Sequence, residues 1–558
     1  MGRLAKNIVL GLSAVACGFG LGLGAPATAA PRSATEKPGP RKSGFYDFLA
    51  PTGEIDAGVG FLQKFSCQVS QATQPLVYAG NFLVDCDGEV PHNETTIAVN
   101  PRDPNHAVSG YHAYQINFLG ATVVQHIVAA ASVTFDGGKS WQEVLPPLTP
   151  YQFTGDPAVA FDANGRLYYS NIADHEGPGG SFTAPSVVVA TSDDGGRNWS
   201  NPVTVAPGQG AVNAGDSNVQ TFQDKSFLAV DRGAASPFKN RVYVTWTSFQ
   251  QAPAITGFRA PIEISRSDNG VRWSSPIEIS GFHPACTVTL DGQPNECDLN
   301  QDSYPTAAPN GRVYVSFENF NTPAENQLMV VRSDDGGRTF SAPVRVGTIF
   351  DINFPQNVDR RDTLTGCQLR VSAVLNSAAD PSDPTGNTLY VVFADNRNGS
   401  RASTNMDVFL ARSGDGGRTW SIHQIDGSSN DQFYPFVAVG NDGRVDVGYM
   451  DRSYSSGQSV CQYGFTLSRA TFDRTTGRLT GLRRQRVDSA LSDPGHSRWF
   501  SATTNGNSRF IGDYNGVAIG SDGSTWSLWT DQRNLVANPP SPTRNHGQHA
   551  VGVRTPAP

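Results

Sequence analysis

Seven times along the chain, an apolar run of roughly period two is followed by a polar turn and a second apolar run. The stretches begin at 94 (ETTIAVNPRDPNHAVSGYH), 156 (DPAVAFDANGRLYYSN), 225 (KSFLAVDRGAASPFKNRVYVTWTSF), 304 (YPTAAPNGRVYVSFENF), 370 (RVSAVLNSAADPSDPTGNTLYVVFADNR), 434 (YPFVAVGNDGRVDVGYMDR) and 514 (YNGVAIGSDGSTWSLWTDQR). Alternation and short apolar runs bounded by Asn-Gly and Asp-Gly mark strands joined by tight turns, and no stretch sustains a helical period. The starts lie 62 to 80 residues apart, room for four strands and their loops but too little for independent domains. An all-β β-propeller of seven blades is therefore expected, with six as the alternative. The last unit has only about 25 residues after its second strand, so a strand from region 45–92 should complete that blade and cover its edge.

A second repeat is superposed on the first. TFDGGKSW (134–141), SDDGGRNW (192–199), RSDNGVRW (266–273), SDDGGRTF (333–340) and SGDGGRTW (413–420) follow S/T-x-D-x-G-x-x-W/F, with Arg266 at the Ser/Thr position of the third copy. This is the Asp box. Its carboxylate can accept backbone N–H bonds inside a hairpin turn, its Gly supplies a positive φ and its aromatic packs beneath, so these Asp residues are structural. The carboxylates of Asp162, Asp231 and Asp442, in other strand-connecting turns, read the same way.

If the first strand of each unit is innermost, the position before each apolar run forms a ring at one mouth of the central channel: Glu94, Asp156, Lys225, Tyr304, Arg370, Tyr434 and Tyr514. The second strand returns toward that mouth and ends in ADNR, MDR and TDQR in the last three units, placing Arg397, Arg452 and Arg533 on the same face. The Asp boxes belong on the opposite face. Clustered guanidinium groups suit a carboxylate or sulfate ligand. Pairing of each Arg with its neighbour Asp395, Asp451 or Asp531 is the competing reading. His112, His126, His175 and His283 lack metal-ligand spacing and read as loop residues. No metal or other cofactor is expected, apart from calcium as an option at a turn carboxylate.

With five Asp boxes on a propeller, residues 93–535 resemble the sialidase superfamily. The resemblance implies a glycosidase that removes a terminal anionic sugar from a glycan. It further implies an arginine cluster for the substrate carboxylate (from Arg370, Arg397, Arg452 and Arg533), Tyr514 as nucleophile activated by Glu94, Asp156 as acid/base, and Tyr304 and Tyr434 lining the site. Two features depart from the family: seven units rather than six blades, and no Arg-Ile-Pro string ahead of the first box, the nearest string, FRAP (258–261), lying in the third unit and departing at Ala260. A non-catalytic glycan-binding propeller, another propeller glycoside hydrolase and a polysaccharide lyase stand as alternatives.

A net charge of −8 offers no field for phosphates, which argues against nucleic acid as partner. Arg3 and Lys6, the apolar run Ile8 to Leu23 and the small residues before Ala30 have the layout of a secretory signal, with 31–44 a leader and 45–555 a single propeller domain. No later segment could span a membrane, and the protein is expected to be secreted and monomeric. The six cysteines beyond the signal then favour disulfides. Short separations suggest Cys67–Cys86 and Cys286–Cys297, leaving Cys367–Cys461.

Overall fold

The computed structural model describes residues 81–85, 92–119, 122–177, 181–213, 216–217, 219–251, 258–289, 293–352, 362–367, 369–400, 403–457, 460–494, 510–533 and 548–558. Seven antiparallel sheets, each meandering outward through four main strands, stand around one axis. From inside out, blade 1 is His92–Val99, Ala107–Leu119, Thr122–Thr134 and Gln142–Val144, and blade 2 is Phe153–Phe161, Leu167–Asp174, Ser186–Ser192 and Val203–Ala206. Blade 3 is Thr221–Val230, Val242–Gln251, Ile262–Ser267 and Ile277–Glu278; blade 4 is Asn300–Ala307, Val313–Asn319, Asn326–Ser333 and Val344–Ile349. Blade 5 is Leu375–Ala379, Leu389–Asp395, Asp407–Ser413 and Ser421–Asp426; blade 6 is Gln432–Val439, Val445–Asp451, Gly464–Phe472 and Leu479–Arg486. Innermost strands touch in ring order, and that of blade 7, Gly516–Ile519, touches that of blade 1.

Blade 7 continues with Thr525–Asp531 and His549–Thr555, and its outermost strand comes from the other end of the chain. Phe82–Leu83 pairs antiparallel with it, Phe82 opposite Gly552 and Leu83 opposite Val551. The Phe82 ring packs on Trp526 of blade 7 and Trp141 of blade 1, at 5.8 and 5.5 Å. Hydrogen bonding and apolar burial thus both close the ring, as the short final unit requires. One element has no counterpart in the repeat: Glu176–Gly177, Ser181–Thr183, Ala211–Asn213 and Asp216–Ser217 form a small extra sheet in the loops of blade 2.

The Asp boxes turn between the third and fourth strands of blades 1 to 5. In the second box, Asp194 Oδ1 accepts from Asn198 N at 2.9 Å, Ser192 Oγ accepts from Gly196 N at 2.9 Å, and Trp199 Nε1 returns to Gly196 O at 3.1 Å. The third box differs from the sequence alignment. Its turn is tighter, so Ser267, not Arg266, accepts from Gly270 N at 2.9 Å, while Asn269 takes the aspartate's place and accepts from Arg272 N at 2.9 Å. Boxes lean on the first turn of their own blade, as in Gly416 N to Asn387 O at 3.0 Å. They therefore occupy the face away from the ring residues at the start of the innermost strands. Asp162 Oδ1 accepts from Asn164 N and Arg166 N at 2.7 and 2.9 Å, a structural use of that turn carboxylate.

Two disulfides are present, Cys286–Cys297 and Cys367–Cys461, the second joining segments 94 residues apart. Cys67 and Cys86 lie outside the described residues, as do the signal and leader segments. No helix among the described residues is long and apolar enough to cross a membrane.

Candidate active site

A repeated break in the innermost strands builds the mouth. In blades 1, 2, 3, 4 and 6 the pairing with the second strand skips two residues, at 94–95, 156–157, 225–226, 302–303 and 434–435. The first residue of each break has a positive φ, 55° at Glu94, 52° at Asp156, 54° at Lys225, 57° at Asp302 and 50° at Tyr434. Non-glycine residues adopt this conformation only at an energetic cost, which the surrounding sheet must offset. Five blades accept that cost at the same place.

This register corrects the expected ring in blade 4. Asp302, not Tyr304, occupies the ring position, because the innermost strand of blade 4 ends at Ala307, and Asp302 stands as far before that end as Tyr434 stands before Val439 in blade 6. Tyr304 stands in the next layer, where Phe227, Phe436 and Tyr304 each follow a break by two residues. Ring centroids of Phe227 lie 4.5 Å from Tyr304, 6.4 Å from Phe436 and 5.7 Å from Tyr514. These four aromatics close the axis beneath the ring, leaving a space of about 10 Å³ beside Lys225 and Asp302.

The ring itself is a buried charge cluster. His112 Nε2 lies 3.1 Å from Glu94 Oε2 and 3.7 Å from Asp156 Oδ1, and it accepts the backbone N–H of Asp156 at 2.7 Å. Burial first, and Lys225 second, hold the His112 imidazole neutral by pushing its pKa down to about 3. Burial and the charge of Asp224 push Asp156 up to about 7; burial also lifts Asp302 to about 7, against the pull of Lys225. Glu94 is raised well above the carboxylate range by burial and by the nearby Asp156. Asp156 Oδ2 accepts from Lys225 N at 2.9 Å. Both Glu94 oxygens, Asp156 Oδ1 and the Lys225 ammonium are buried without a hydrogen-bond partner. The ammonium sits 3.4 Å above the Tyr514 ring. Gly512, at φ +87°, lets the chain of blade 7 pass close by, since a Cβ there would meet Glu94 N at 2.5 Å.

Tyr514 and Tyr434 are both buried at the mouth, and burial raises both phenols, helped by Glu94 at Tyr514 and by Asp513 at Tyr434. The Tyr514 hydroxyl donates to Pro157 O at 3.1 Å, and that of Tyr434 to Arg370 O at 2.9 Å. Glu94, His112 and Asp156 bring one ligand atom each within 4.8 Å, a donor set of metal-binding type. The His112 lone pair, however, is already engaged by the Asp156 N–H.

The four arginines do not converge as expected. Arg370 donates to Asp513 at 2.9 Å, Arg397 forks onto Asp395 at 2.9 and 2.7 Å, and Arg533 forks onto Asp531 at 2.8 and 2.6 Å. Arg452 pairs with Asp431, while Asp451, its expected partner, accepts from Ser453 N and Thr466. Each guanidinium is committed to a different carboxylate, since leaving one buried and unpaired costs several kcal/mol. The competing ion-pair reading thus describes Arg397 and Arg533. Sequence reasoning missed His112, Asp224, Asp302 and Asp513. His112 pairs in register with Asn93 of strand His92–Val99, so it is a core-strand residue rather than a loop one. An alignment on the break, marked by Asp or Glu in NET, GDP, QDK and QDS, would have found Asp224 and Asp302.

The architecture is that of an Asp-box propeller. Residues 127–447 match the BNR repeat-like domain, and the chain belongs to that family. Over 212 residues it is 27% identical to a sialidase of Micromonospora viridifaciens, a match spanning 35% of this chain and 30% of that protein's length. Among solved structures it is similar to the NanB sialidase of Streptococcus pneumoniae (TM-score 0.40, 10% identity, covering 84% of this chain and 94% of that one). It is also similar to an α-L-arabinofuranosidase of Fusarium graminearum (TM-score 0.38, 14% identity, 73% and 95%).

Proposed function

We infer that the chain is a glycoside hydrolase that receives the terminal sugar of a glycan at the mouth ringed by Glu94, Asp156, Lys225 and Asp302. The observation that carries this reading is the set of buried, unpartnered polar atoms on Glu94, Asp156 and Lys225. A carboxyl group poised near pH 7, such as Asp156, can give a proton to a leaving glycosidic oxygen and take one back from water. For this role the two carboxyls must hold a single proton between them, carried by Asp156 until it passes to the leaving oxygen, so that Glu94 is the carboxylate that stabilises or attacks the developing oxocarbenium centre. Carboxylate oxygens of Glu94 and Asp156 lie within 4.8 Å of each other, closer than the spacing of inverting enzymes, so retention of anomeric configuration is the expected outcome. The aromatic layer beneath the ring supports action at a chain end.

An acidic sugar remains the reading that the Lys225 ammonium favours, because the arginines already have carboxylate partners. Tyr514 as nucleophile would have to leave its bond to Pro157 O. The disulfides and the N-terminal signal pattern support an extracellular location.

The test is a screen of aryl sialosides, uronides and neutral glycosides with the wild type, Asp156→Asn and Tyr514→Phe. On a substrate cleaved by the wild type, Asp156→Asn should lower kcat/KM by at least about a hundredfold. Tyr514→Phe should retain most of the rate, and a comparable loss there would transfer the nucleophile to Tyr514. Glycan binding without turnover on any substrate, unaltered in Asp156→Asn, would replace the enzyme by a binding propeller.

A further inference from the structure

On the Asp-box face, in the seam between blades 5 and 6, lies a pocket of about 190 Å³ lined by Asp380, Tyr390, Arg412, Asp442, Phe472 and Arg474. We propose that it binds one acidic sugar unit, its carboxylate held between Arg412 and Arg474, at a site separate from the mouth.

Charge is the first argument. Arg412 is only 8% exposed, and its Nε has no hydrogen-bond partner although it lines the pocket. Arg474 donates to Ser382 Oγ at 2.7 Å and to Asp442 O at 3.4 Å, both neutral acceptors. Among the described residues neither enters an ion pair, in contrast to Arg444 on the same wall, which donates to Asp446 at 2.8 Å. A guanidinium buried this far without a carboxylate is costly, and an anionic ligand relieves that cost with bidentate geometry.

Size and wall chemistry choose among anions. The volume is several times the roughly 30 Å³ that one water occupies in the liquid, more than a simple inorganic anion fills. The partly buried Phe472 ring on the pocket wall presents apolar surface to the C–H face of a pyranose. Asp442, whose side chain is 60% exposed, offers carboxylate oxygens to sugar hydroxyls. Arg474 bridges Ser382 and Asp442, in the first turns of blades 5 and 6, so the pocket lies on the face opposite Glu94. A bound chain there would keep the propeller on a polyanionic glycan while the mouth works on an end.

Calorimetric or NMR titration of the full chain with methyl glucuronide, methyl glucoside and inorganic sulfate tests the proposal in the wild type, Arg474→Gln and Arg412→Gln. Arg474 is exposed, so its replacement leaves folding intact even if Arg412→Gln does not fold. Glucuronide should bind at least about tenfold more tightly than glucoside or sulfate, and Arg474→Gln should weaken it by about tenfold or more, with hydrolysis at the mouth unchanged. Unaltered glucuronide affinity in Arg474→Gln overturns the site. So does equal binding of the glucoside, and so does no binding by about 10 mM. Sulfate binding as tightly as glucuronide leaves an anion site only and overturns the sugar assignment.

Discussion

Replacing Asp156 by Asn should make the protein less active and more stable at alkaline pH, and the two effects have one cause. In the fold, burial and Asp224 raise this carboxyl from 3.8 to about 7. A raised carboxyl binds a proton in the folded state over a range where the unfolded chain has lost it, so stability is highest below about pH 4 to 5 and falls as pH climbs toward 7. Each pKa unit is worth about 1.4 kcal/mol, so full ionisation of Asp156 costs the fold up to about 4 kcal/mol. Its coupling to Glu94, also raised, spreads that loss over both groups. Asparagine keeps an oxygen to accept Lys225 N–H and can donate its amide to the Glu94 carboxylate, so packing is retained while one charge is removed. Urea unfolding at pH 5 and pH 8 is the assay. The wild type should lose stability between the two, and Asp156→Asn should lose less by about 2 to 4 kcal/mol. Wild-type stability that is flat or rising over this interval, or an unchanged slope in the variant, would refute the reasoning about the ring.

Removal of the Cys367–Cys461 disulfide, which closes a 94-residue loop, should cost about 4 to 5 kcal/mol by chain entropy, against about 3 kcal/mol for Cys286–Cys297 across 11 residues, read as urea midpoints of the paired alanine variants. Gly512→Ala should lower stability by at least about 2 kcal/mol, through its positive φ and the clash with Glu94 N, and should impair turnover with it; an unchanged Tm would mean that blade 7 does not press on Glu94. Phe82→Ala should lower Tm by loosening the contact of the N-terminal strand with Trp141 and Trp526; an unaltered melting curve would show that this strand does not hold the ring closed.

The sequence by itself determined the architecture. Seven repeats of strand, turn and strand, the five boxes on one rim, and the need for a strand from near the N-terminus are all local patterns or consequences of unpaired edges, and backbone chemistry enforces them wherever they occur. The identity of four ring positions, Glu94, Asp156, Lys225 and Tyr434, was legible for the same reason. Tertiary structure alone decided their chemistry. Whether Arg397 serves a ligand or Asp395 depends on which carboxylate is nearest once blades pack. The placing of His112 beside Glu94 and Asp156 depends on a register across strands and between blades. A two-residue break moved the ring position from Tyr304 to Asp302, because a strand's pattern states which residues alternate but not where pairing skips. The proton affinities of the ring follow from burial and from charges distant in sequence, and these exist only after the last blade has closed on the first.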